Sequence, residues 1–184
     1  MGTNELSSVI LRELQPSDVS EVIALNRASA THYGDWVSPP TDEAAFAAYL
    51  TRCAEPTTAS WLICRRHDGA IMGAATLSQI FYGPLQSAYL GYYLGAAFVG
   101  QGFMQAGLGL VLDQAFGSLR LHRVEANIQP ENERSLALVR RMGFTREGYS
   151  RRYLWIAGAW RDHERYAMLA EDWQQLRDQQ RNLE

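Results

Sequence analysis

The sequence predicts a single α+β domain over residues 1–184, with a core at residues 8–170 and a polar C-terminal helix at residues 171–184. Apolar residues make up 47% of the chain, enough to bury one sizeable core but not two independent ones. Period-two and period-3.6 apolar patterns follow one another in the order β-α-α-β-β-β-α-β-α-β-β. We find no internal repeat and no low-complexity segment, so this order predicts one mixed sheet accompanied by helices.

The first elements are a strand and two helices. An imperfect alternation at residues 8–14 predicts the strand, and Pro16 separates it from a helical spacing that starts at Val19. The segment from His32 to Pro40 is aromatic and rich in helix breakers, so we expect a loop that acts as a lid. Thr41 is the expected N-cap of the second helix.

The middle of the chain predicts an antiparallel meander. Three apolar or alternating runs lie at Trp61–Arg66, Ile71–Phe81 and Ala88–Leu94. The first two runs are joined by His67-Asp68-Gly69, and this combination of residues favours a hairpin turn.

The last third predicts two helices, a strand and a closing hairpin. A helical spacing follows the glycines at positions 100 and 102 and stops near Gly117, and Asn132 opens a second helix that Gly143 closes. The expected strands are Arg123–Ile128, Tyr149–Ile156 and Asp162–Leu169, with the hairpin turn at Ala157-Gly158.

Charge and cysteine content exclude several classes of protein. Seventeen Lys and Arg against 20 Asp and Glu give a net charge of −3, so we expect no direct binding of nucleic acid through a global positive field. Cys53 and Cys64 have neither disulfide nor zinc-site spacing and are expected to be reduced, buried thiols. A basic leader and a membrane-spanning apolar run are both missing from the sequence, so we expect a cytoplasmic protein without membrane contact.

The strongest local signal lies where a strand runs into Val99-Gly100-Gln101-Gly102-Phe103-Met104 at the start of a helix. Glycines let successive N–H groups point outward, and a helix N-terminus adds about half a positive charge, an arrangement that suits a pyrophosphate. Two glycines between a strand and a helix also occur as a plain tight connection. Both interpretations stay open on this segment alone.

A second segment makes the pattern specific. The run NIQPENERSLALVRRMGFTREG places Asn132 at a helix start and Gly143-Phe144 at its end. Together with YLGYYLG and the glycine motif, it resembles the GNAT superfamily of N-acetyltransferases, and within it the bacterial ribosomal-protein alanine acetyltransferases. The resemblance covers residues 9–169 and implies the GNAT fold, with a mostly antiparallel sheet splayed at strands four and five.

The resemblance implies acetyl-CoA as acetyl donor and a direct attack of the amine on it. Amides of the glycine motif would hold the pyrophosphate, the strand end at Leu94 would pair with the pantetheine, and a V-shaped opening between the strands ending at Leu94 and Ile128 would admit the cofactor. The implied cofactor-binding residues are Leu94, Val99, Gly100, Gln101, Gly102, Phe103, Met104, Asn132 and Ser135.

Three departures from the family pattern concern the chemistry. Ala97 stands where the glycine motif usually has Gln or Arg, so we expect weaker binding of CoA but not its loss. Val139 replaces the tyrosine that serves as acid to the CoA thiolate, and the resemblance offers Ser135 instead. The strand before the glycine motif carries Tyr89 and Tyr92 but no carboxylate, which leaves the general base unassigned, with Asp162 as one hypothesis.

The acceptor site is expected to include Tyr33, Trp36 and Tyr92, although aromatic residues in a domain of this size are more often part of the core. Asn132 and Ser135 have alternative roles as a helix cap and a solvated helix residue. His32 and His163 lack a metal-ligand spacing, and we expect no metal.

Three functions compete at this point. The first is acetylation of the N-terminal α-amine of a protein, a ribosomal protein by resemblance; the second is acetylation of a small amine such as an aminoglycoside or polyamine. An aromatic lid with Asp35 as its one carboxylate mildly favours the first. The third is a non-catalytic acyl-CoA-binding protein, suggested by the missing tyrosine and carboxylate. A monomer and a homodimer are both compatible with the sequence.

Overall fold

A computed structural model describes residues 8–182, which contain seven strands and six α-helices. The strands are β1 (Val9–Arg12), β2 (Ala59–Arg65), β3 (Ile71–Phe81), β4 (Ser87–Leu94), β5 (Arg123–Ile128), β6 (Thr145–Ile156) and β7 (Ala159–Leu169). The helices are α1 (Val19–Ala28), α2 (Ala30–Tyr33), α3 (Glu43–Cys53), α4 (Phe103–Phe116), α5 (Glu133–Arg141) and α6 (Ala170–Arg181). Short 3-10 turns lie at Pro16–Asp18 and Ala96–Phe98.

All seven strands form one sheet in the order β1-β2-β3-β4-β5-β7-β6. β1 and β2, β2 and β3, β5 and β7, and β6 and β7 pair antiparallel. β4 and β5 pair in parallel, through Ser87–Tyr89 and Arg123–Glu125, and then splay. The predicted mostly antiparallel sheet, splayed at strands four and five, is therefore confirmed.

The chain divides into two compact units. Within the described residues, the first unit contains 8–78 and 91–111, and the second contains 79–90 and 112–182. Helices α1 to α3 and strands β1 and β2 belong to the first unit, whereas β5 to β7 with α5 and α6 belong to the second.

The core of the first unit lies between α1, α3 and the first strands. Its buried residues come from α1, α3, β2 and β3: Val22, Ile23, Phe46, Leu62, Cys64, Ile71 and Ala74. Cys64 is buried as predicted, whereas Cys53 is half-buried, and both are free thiols. Within residues 8–182, we observe no helix that is long and apolar enough to cross a membrane.

In the second unit, α6 is fastened to the C-terminal part of α4. Trp173 is buried and its Nε1 donates to Asp113 Oδ1 at 2.9 Å. Arg177 contacts the other carboxylate oxygen of Asp113 at 3.2 Å and lies over the Trp173 ring. A buried aromatic body with a satisfied polar tip explains why a polar C-terminal sequence forms a packed helix.

Two predictions in the N-terminal region are wrong in detail. The loop expected at His32–Pro40 begins later, because Ala30–Tyr33 forms the short helix α2. The N-cap of α3 is Asp42, whose Oδ1 accepts from the N–H of Ala45 at 2.8 Å, and not Thr41. The carbonyl of Thr41 instead accepts from Arg27 Nε at 2.7 Å, which holds Thr41 outside the helix.

The closing hairpin is longer than predicted. β6 begins at Thr145 and β7 at Ala159, on either side of the predicted turn, where Ala157 and Gly158 have φ of 49° and 76°. Two positive φ values match the turn type that two-residue hairpins favour. The register of β6 on β7 shifts between Ser150 and Leu154, so a bulge follows the middle of the hairpin.

We predict that Gly73→Ala destabilises the protein, because a Cβ at Gly73 would lie 2.1 Å from the backbone oxygen of Tyr93 in β4. Relief requires movement of a strand backbone, so we expect a loss of at least about 2 kcal/mol in the free energy of unfolding. Gly91→Ala is the matched control, since nothing lies within 4 Å of its Cβ, and it should stay within about 0.5 kcal/mol of the parent. Equal urea midpoints for the two variants would contradict the prediction.

Candidate active site

The glycine loop, Val99–Met104, connects β4 and its short 3-10 turn to α4. Gly100 and Gly102 have φ of 78° and 80°, a left-handed conformation that side chains disfavour. Among residues 8–182, the N–H groups of Gly100, Gln101 and Gly102 donate to no backbone carbonyl. The loop therefore presents unused donors directly before the N-terminus of a 14-residue helix.

The open side of this loop fits an anionic ligand. A Cβ added at Gly100 would meet no atom within 4 Å, so the backbone is accessible there. Unpaired amides and a helix N-terminus stabilise negative charge, as the diphosphate of CoA requires. The predicted cofactor-binding residues Val99 to Met104 thus lie together in the conformation that this role demands, and their assignment to CoA stays a prediction.

Two contacts shape the loop in ways the sequence did not reveal. Gln101 Nε2 donates to the carbonyl of Ala97 at 2.9 Å, which closes the loop across its base. The guanidinium of Arg65 in β2 lies 5.6 Å from the centre of the Phe98 ring. Arg65 is also paired with Asp68 at 2.6 Å, so it packs a guanidinium against the residue after Ala97 but adds little net positive charge to the loop.

The end of β4 is fixed by its neighbours in the first unit. Leu94 is buried, and Gly95 donates its N–H to the carbonyl of Met72 in β3 at 2.8 Å. A Cβ at Gly95 would lie 2.4 Å from a methyl group of Leu25 in α1, so a larger residue at this position would displace the leucine side chain. Tyr92 is half-buried on this strand. The strand end is thereby positioned for the predicted contact of Leu94 with the pantetheine.

Helix α5 carries the predicted acid. Asn132 is its N-cap, and its Oδ1 accepts from the N–H of Ser135 at 3.2 Å. Ser135 is half-buried, and Val139, one turn further along, is fully buried. The alternative role of Asn132 as a cap is therefore confirmed, while its contact with the cofactor arm and the acid role of Ser135 stay predictions.

Tyr33 does not line an exposed groove, contrary to the expectation for an acceptor residue. Only 5% of its surface is exposed, its hydroxyl donates to Asn26 Oδ1 at 3.3 Å, and its ring packs edge-on against Tyr93 at 5.6 Å. Burial raises the pKa of Tyr33, opposed by the hydroxyl of Ser29. Trp36 is half-buried in the segment that follows and stays a candidate for acceptor binding.

Asp162 is occupied by structural contacts. Its Oδ2 accepts from the Tyr149 hydroxyl at 2.6 Å and its Oδ1 from the N–H of Arg152 at 2.7 Å. Arg152 has a φ of 48° and lies in the bulge of β6, so Asp162 holds this irregular backbone in place. The Tyr149 hydroxyl, then the Arg152 amide, lowers the pKa of Asp162, which makes the hypothesis of a general base at this position unattractive.

Other carboxylates on the strands of the second unit are likewise paired with arginines. Arg123 contacts Glu125 at 2.9 Å and also binds Glu147 through two hydrogen bonds. Glu164 accepts from Arg146 Nε at 2.9 Å. The hydrogen bond from Arg123 lowers the pKa of Glu147, and that from Arg146 lowers the pKa of Glu164. Glu147 and Glu164 are therefore weak bases, and all three ion-paired glutamates have little net charge to offer a cation.

Tyrosine does not supply the missing base in this unit either. The hydroxyl of Tyr153, with burial as the second cause, raises the pKa of Tyr89 to about 12. Tyr89 therefore stays protonated at neutral pH and acts as a hydrogen-bond donor. In the described part of the chain, His, Cys, Asp and Glu side chains form no group of three or more that could hold a metal ion.

Comparison with known proteins agrees with this geometry. The acetyltransferase (GNAT) domain family matches residues 8–145. The Bacillus subtilis protein named "Probable N-acetyltransferase YjcK" is 30% identical over 173 residues, which cover 90% of this chain and 96% of that protein. The [Ribosomal protein uS5]-alanine N-acetyltransferase of Escherichia coli is 39% identical over 103 residues, 56% of this chain and 53% of that enzyme.

A solved structure is similar over most of the chain. Mycobacterium smegmatis RimJ in complex with CoA-disulfide superposes with a TM-score of 0.81 and 30% sequence identity, covering 89% of this chain and 83% of that one. At this level of similarity the two chains share their fold.

We predict that Gly102→Asp abolishes CoA binding, because it places a carboxylate where the loop amides are expected to meet the pyrophosphate. Gly102→Asn is the matched control: Asn and Asp have the same shape and both tolerate a left-handed φ. Calorimetry should show a moderate loss of CoA affinity for Asn and a loss of at least about 100-fold for Asp, since like charge in a site costs several kcal/mol. Equal CoA affinities of the two variants would contradict the assignment of this loop to pyrophosphate binding.

Proposed function

The chain belongs to the GNAT acetyltransferase family, in its ribosomal-protein alanine acetyltransferase-like branch, and we propose that its acetyl acceptor is the N-terminal α-amine of a protein, specifically a ribosomal protein. Membership makes it an N-acetyltransferase with acetyl-CoA as donor. The glycine loop would hold the diphosphate, the end of β4 at Leu94 the pantetheine, and Asn132 the cofactor arm. Bound acetyl-CoA supplies an acetyl group that its thioester already activates.

The observation that carries the choice of acceptor is the pairing of carboxylates in the second unit. Glu147, Glu164 and Asp162 all have hydrogen-bonded partners that lower their pKa. A site without a strong base cannot readily remove a proton from an amine of high pKa. It suits an amine that is already partly neutral at the working pH.

Reference pKa values show that an N-terminal α-amine and a lysine side chain differ greatly in the fraction that is neutral at pH 7. An N-terminal α-amine has a pKa of about 7.7–8.0, so about 10–17% of it is neutral at pH 7, whereas lysine at about 10.4 is only about 0.04% neutral. The α-amine therefore starts with an advantage of more than about 200-fold in the reactive form. Alignment and polarisation of the carbonyl supply most of the remaining acceleration.

The same pairing argues against a polyamine or an aminoglycoside. Several ammonium groups in one ligand require several uncompensated carboxylates to bind them. Arg123 and Arg146 compensate Glu125, Glu147 and Glu164, and residues 34–40 contribute Asp35 as their one carboxylate. Similarity to the uS5-alanine enzyme of Escherichia coli points to the same acceptor class, an N-terminal alanine.

A panel of acceptors tests the proposal through release of the CoA thiol. We expect peptides with a free N-terminal alanine, including those of ribosomal proteins, to exceed every other acceptor in kcat/KM by at least about tenfold. The matched controls are the same peptides with a blocked α-amine and an internal lysine, and spermidine and an aminoglycoside complete the panel. A higher kcat/KM for either small amine would replace the proposed acceptor, and acetylation of the blocked peptides would contradict the α-amine argument.

We further propose that the hydroxyl of Ser135 donates to the departing sulfur of CoA. Val139 carries no proton donor and is fully buried, whereas Ser135 lies one helical turn earlier and is half-buried. The backbone N–H of Ser135 already caps onto Asn132, so the first turn of α5 holds the serine in one position. Such a donor would stabilise the thiolate as the bond to carbon breaks.

Ser135→Ala should lower kcat by about 10²-fold, the lower end of general-acid effects, since a thiolate is a good leaving group. Ser135→Thr keeps the hydroxyl and should recover most of this loss. Both rates are measured at saturating acetyl-CoA with a thermal melt of each variant. A kcat for Ser135→Ala within about twofold of the parent would mean that the serine only solvates the helix.

A further inference from the structure

The last turn of α1 holds both ends of one loop through a single buried side chain. Asn26 is fully buried; its Nδ2 donates to the carbonyl of Pro40 at 2.8 Å, and its Oδ1 accepts from the Tyr33 hydroxyl at 3.3 Å. Tyr33 directly precedes Gly34–Pro39 and Pro40 directly follows it. One amide therefore closes the base of this six-residue segment, which we name the acceptor loop.

A surface contact reinforces the same closure. Arg27 Nε donates to the carbonyl of Thr41 at 2.7 Å, one residue beyond Pro40. Gly34 starts the loop with a φ of 52° and ψ of −134°, a conformation that glycine adopts most readily. The base of the loop is thus fixed to α1, while Gly34, Asp35 and Ser38 within it are exposed.

The residue that caps the end of α1, Ser29, holds the start of the glycine loop. Ser29 is 3% exposed, and its Oγ accepts from the N–H of Ala96 at 3.0 Å. Ala96 begins the 3-10 turn Ala96–Phe98, which leads directly into Val99–Met104. Ser29 therefore fixes the entry to the predicted donor loop, three residues along the chain from the side chain that fixes the acceptor loop.

An apolar residue would fill either position without desolvating an amide or a hydroxyl, so these contacts do more than fill space. The side chain of Asn26 hydrogen-bonds Tyr33 and Pro40, the two residues that bound the loop. It also contacts Tyr93 of β4, where burial raises the pKa of the tyrosine and the hydrogen bond with Asn26 opposes that rise. Removing the side chain would leave the Pro40 carbonyl buried without its donor, a cost that the loop can relieve only by moving.

We propose that the C-terminal end of α1 is a positioning junction, in which Asn26 sets the conformation of the acceptor loop and the C-cap residue Ser29 sets that of the glycine loop. The proposal rests on the proposed function in one respect, that Gly34–Pro39 receives the acceptor. It assigns the two substrates to separate positioning residues at the end of one helix. Binding of each substrate is then tuned by a residue that touches neither.

The test compares Asn26→Leu with Ser29→Ala by steady-state kinetics, calorimetry with CoA alone, and hydrogen exchange of amides 34–39. Asn26→Leu should raise the acceptor KM by about tenfold, the usual effect of a buried hydrogen bond, speed exchange in the acceptor loop and leave the CoA Kd within about twofold. Ser29→Ala should raise the CoA Kd by about three- to tenfold. Because the Ser29 hydroxyl also contacts Tyr33, acceptor KM and loop exchange should change as well, but by a smaller factor than in Asn26→Leu. Ser29→Thr, which keeps the hydroxyl, should restore CoA affinity.

Arg27→Ala provides a variant that leaves the core intact if Asn26→Leu fails to fold, because Arg27 is exposed. It should move acceptor KM and loop exchange in the same direction by a smaller factor. The junction would be overturned if acceptor KM and CoA Kd rose by similar factors in every variant. It would also be overturned if hydrogen exchange of amides 34–39 stayed unchanged in both Asn26→Leu and Arg27→Ala. If exchange and CoA affinity respond as expected but no α-amine is acetylated, the proposed acceptor fails and the junction stands.

Discussion

The parallel pairing of β4 with β5 extends over only three residue pairs, from Ser87 to Tyr89, and then stops. The arrangement of the candidate cofactor site depends on this early end of the pairing. A sheet normally satisfies the backbone groups of an inner strand on both sides. Past Tyr89, β5 supplies β4 with no partner among the described residues, although β4 continues as a strand to Leu94. Backbone groups left unpaired in this way can hydrogen-bond an extended ligand, as a pantetheine arm would be.

The chain after the end of β4 also offers backbone groups to a ligand. The glycines at positions 95, 100 and 102 serve different purposes: the first allows a close approach to α1, while the other two turn the amides outward. The donor half of the candidate site is therefore made almost entirely of backbone. The expected binding of CoA despite Ala97 in place of the usual Gln or Arg follows from this, since the amides do not depend on that side chain.

Ion pairs and hydrogen bonds occupy the carboxylates on the strands of the second unit, which limits their use as general bases. Arginines neutralise the strand glutamates, a tyrosine and a backbone amide occupy Asp162, and Tyr89 stays protonated. An enzyme that attacks an activated thioester with a partly neutral amine needs little acid–base assistance. The paired carboxylates of these strands are thus consistent with the proposed α-amine acceptor.

Sequence periodicity predicted β3 and β5 with their observed ends, and the Asn132 cap of α5, because alternation and capping are local properties. It failed where tertiary contacts decide. Tyr33 was expected at the surface but is drawn inward by Asn26, seven residues earlier. The cap of α3 shifts to Asp42 because Arg27 binds the Thr41 carbonyl. Asp162 is committed to a bulge in β6 that no spacing in the sequence reveals.

The fastening of α6 to α4 has a consequence for the order in which the protein acquires its structure. Trp173 binds Asp113 across 60 residues, and β7 supplies the antiparallel partner of β5 as well as of β6. During synthesis the first unit has all its segments once residue 111 is available, whereas the second unit waits for its last helix. Contacts between distant segments form slowly because a long loop must close first. A nascent chain therefore carries a nearly complete donor loop before the half that holds α5 can be finished.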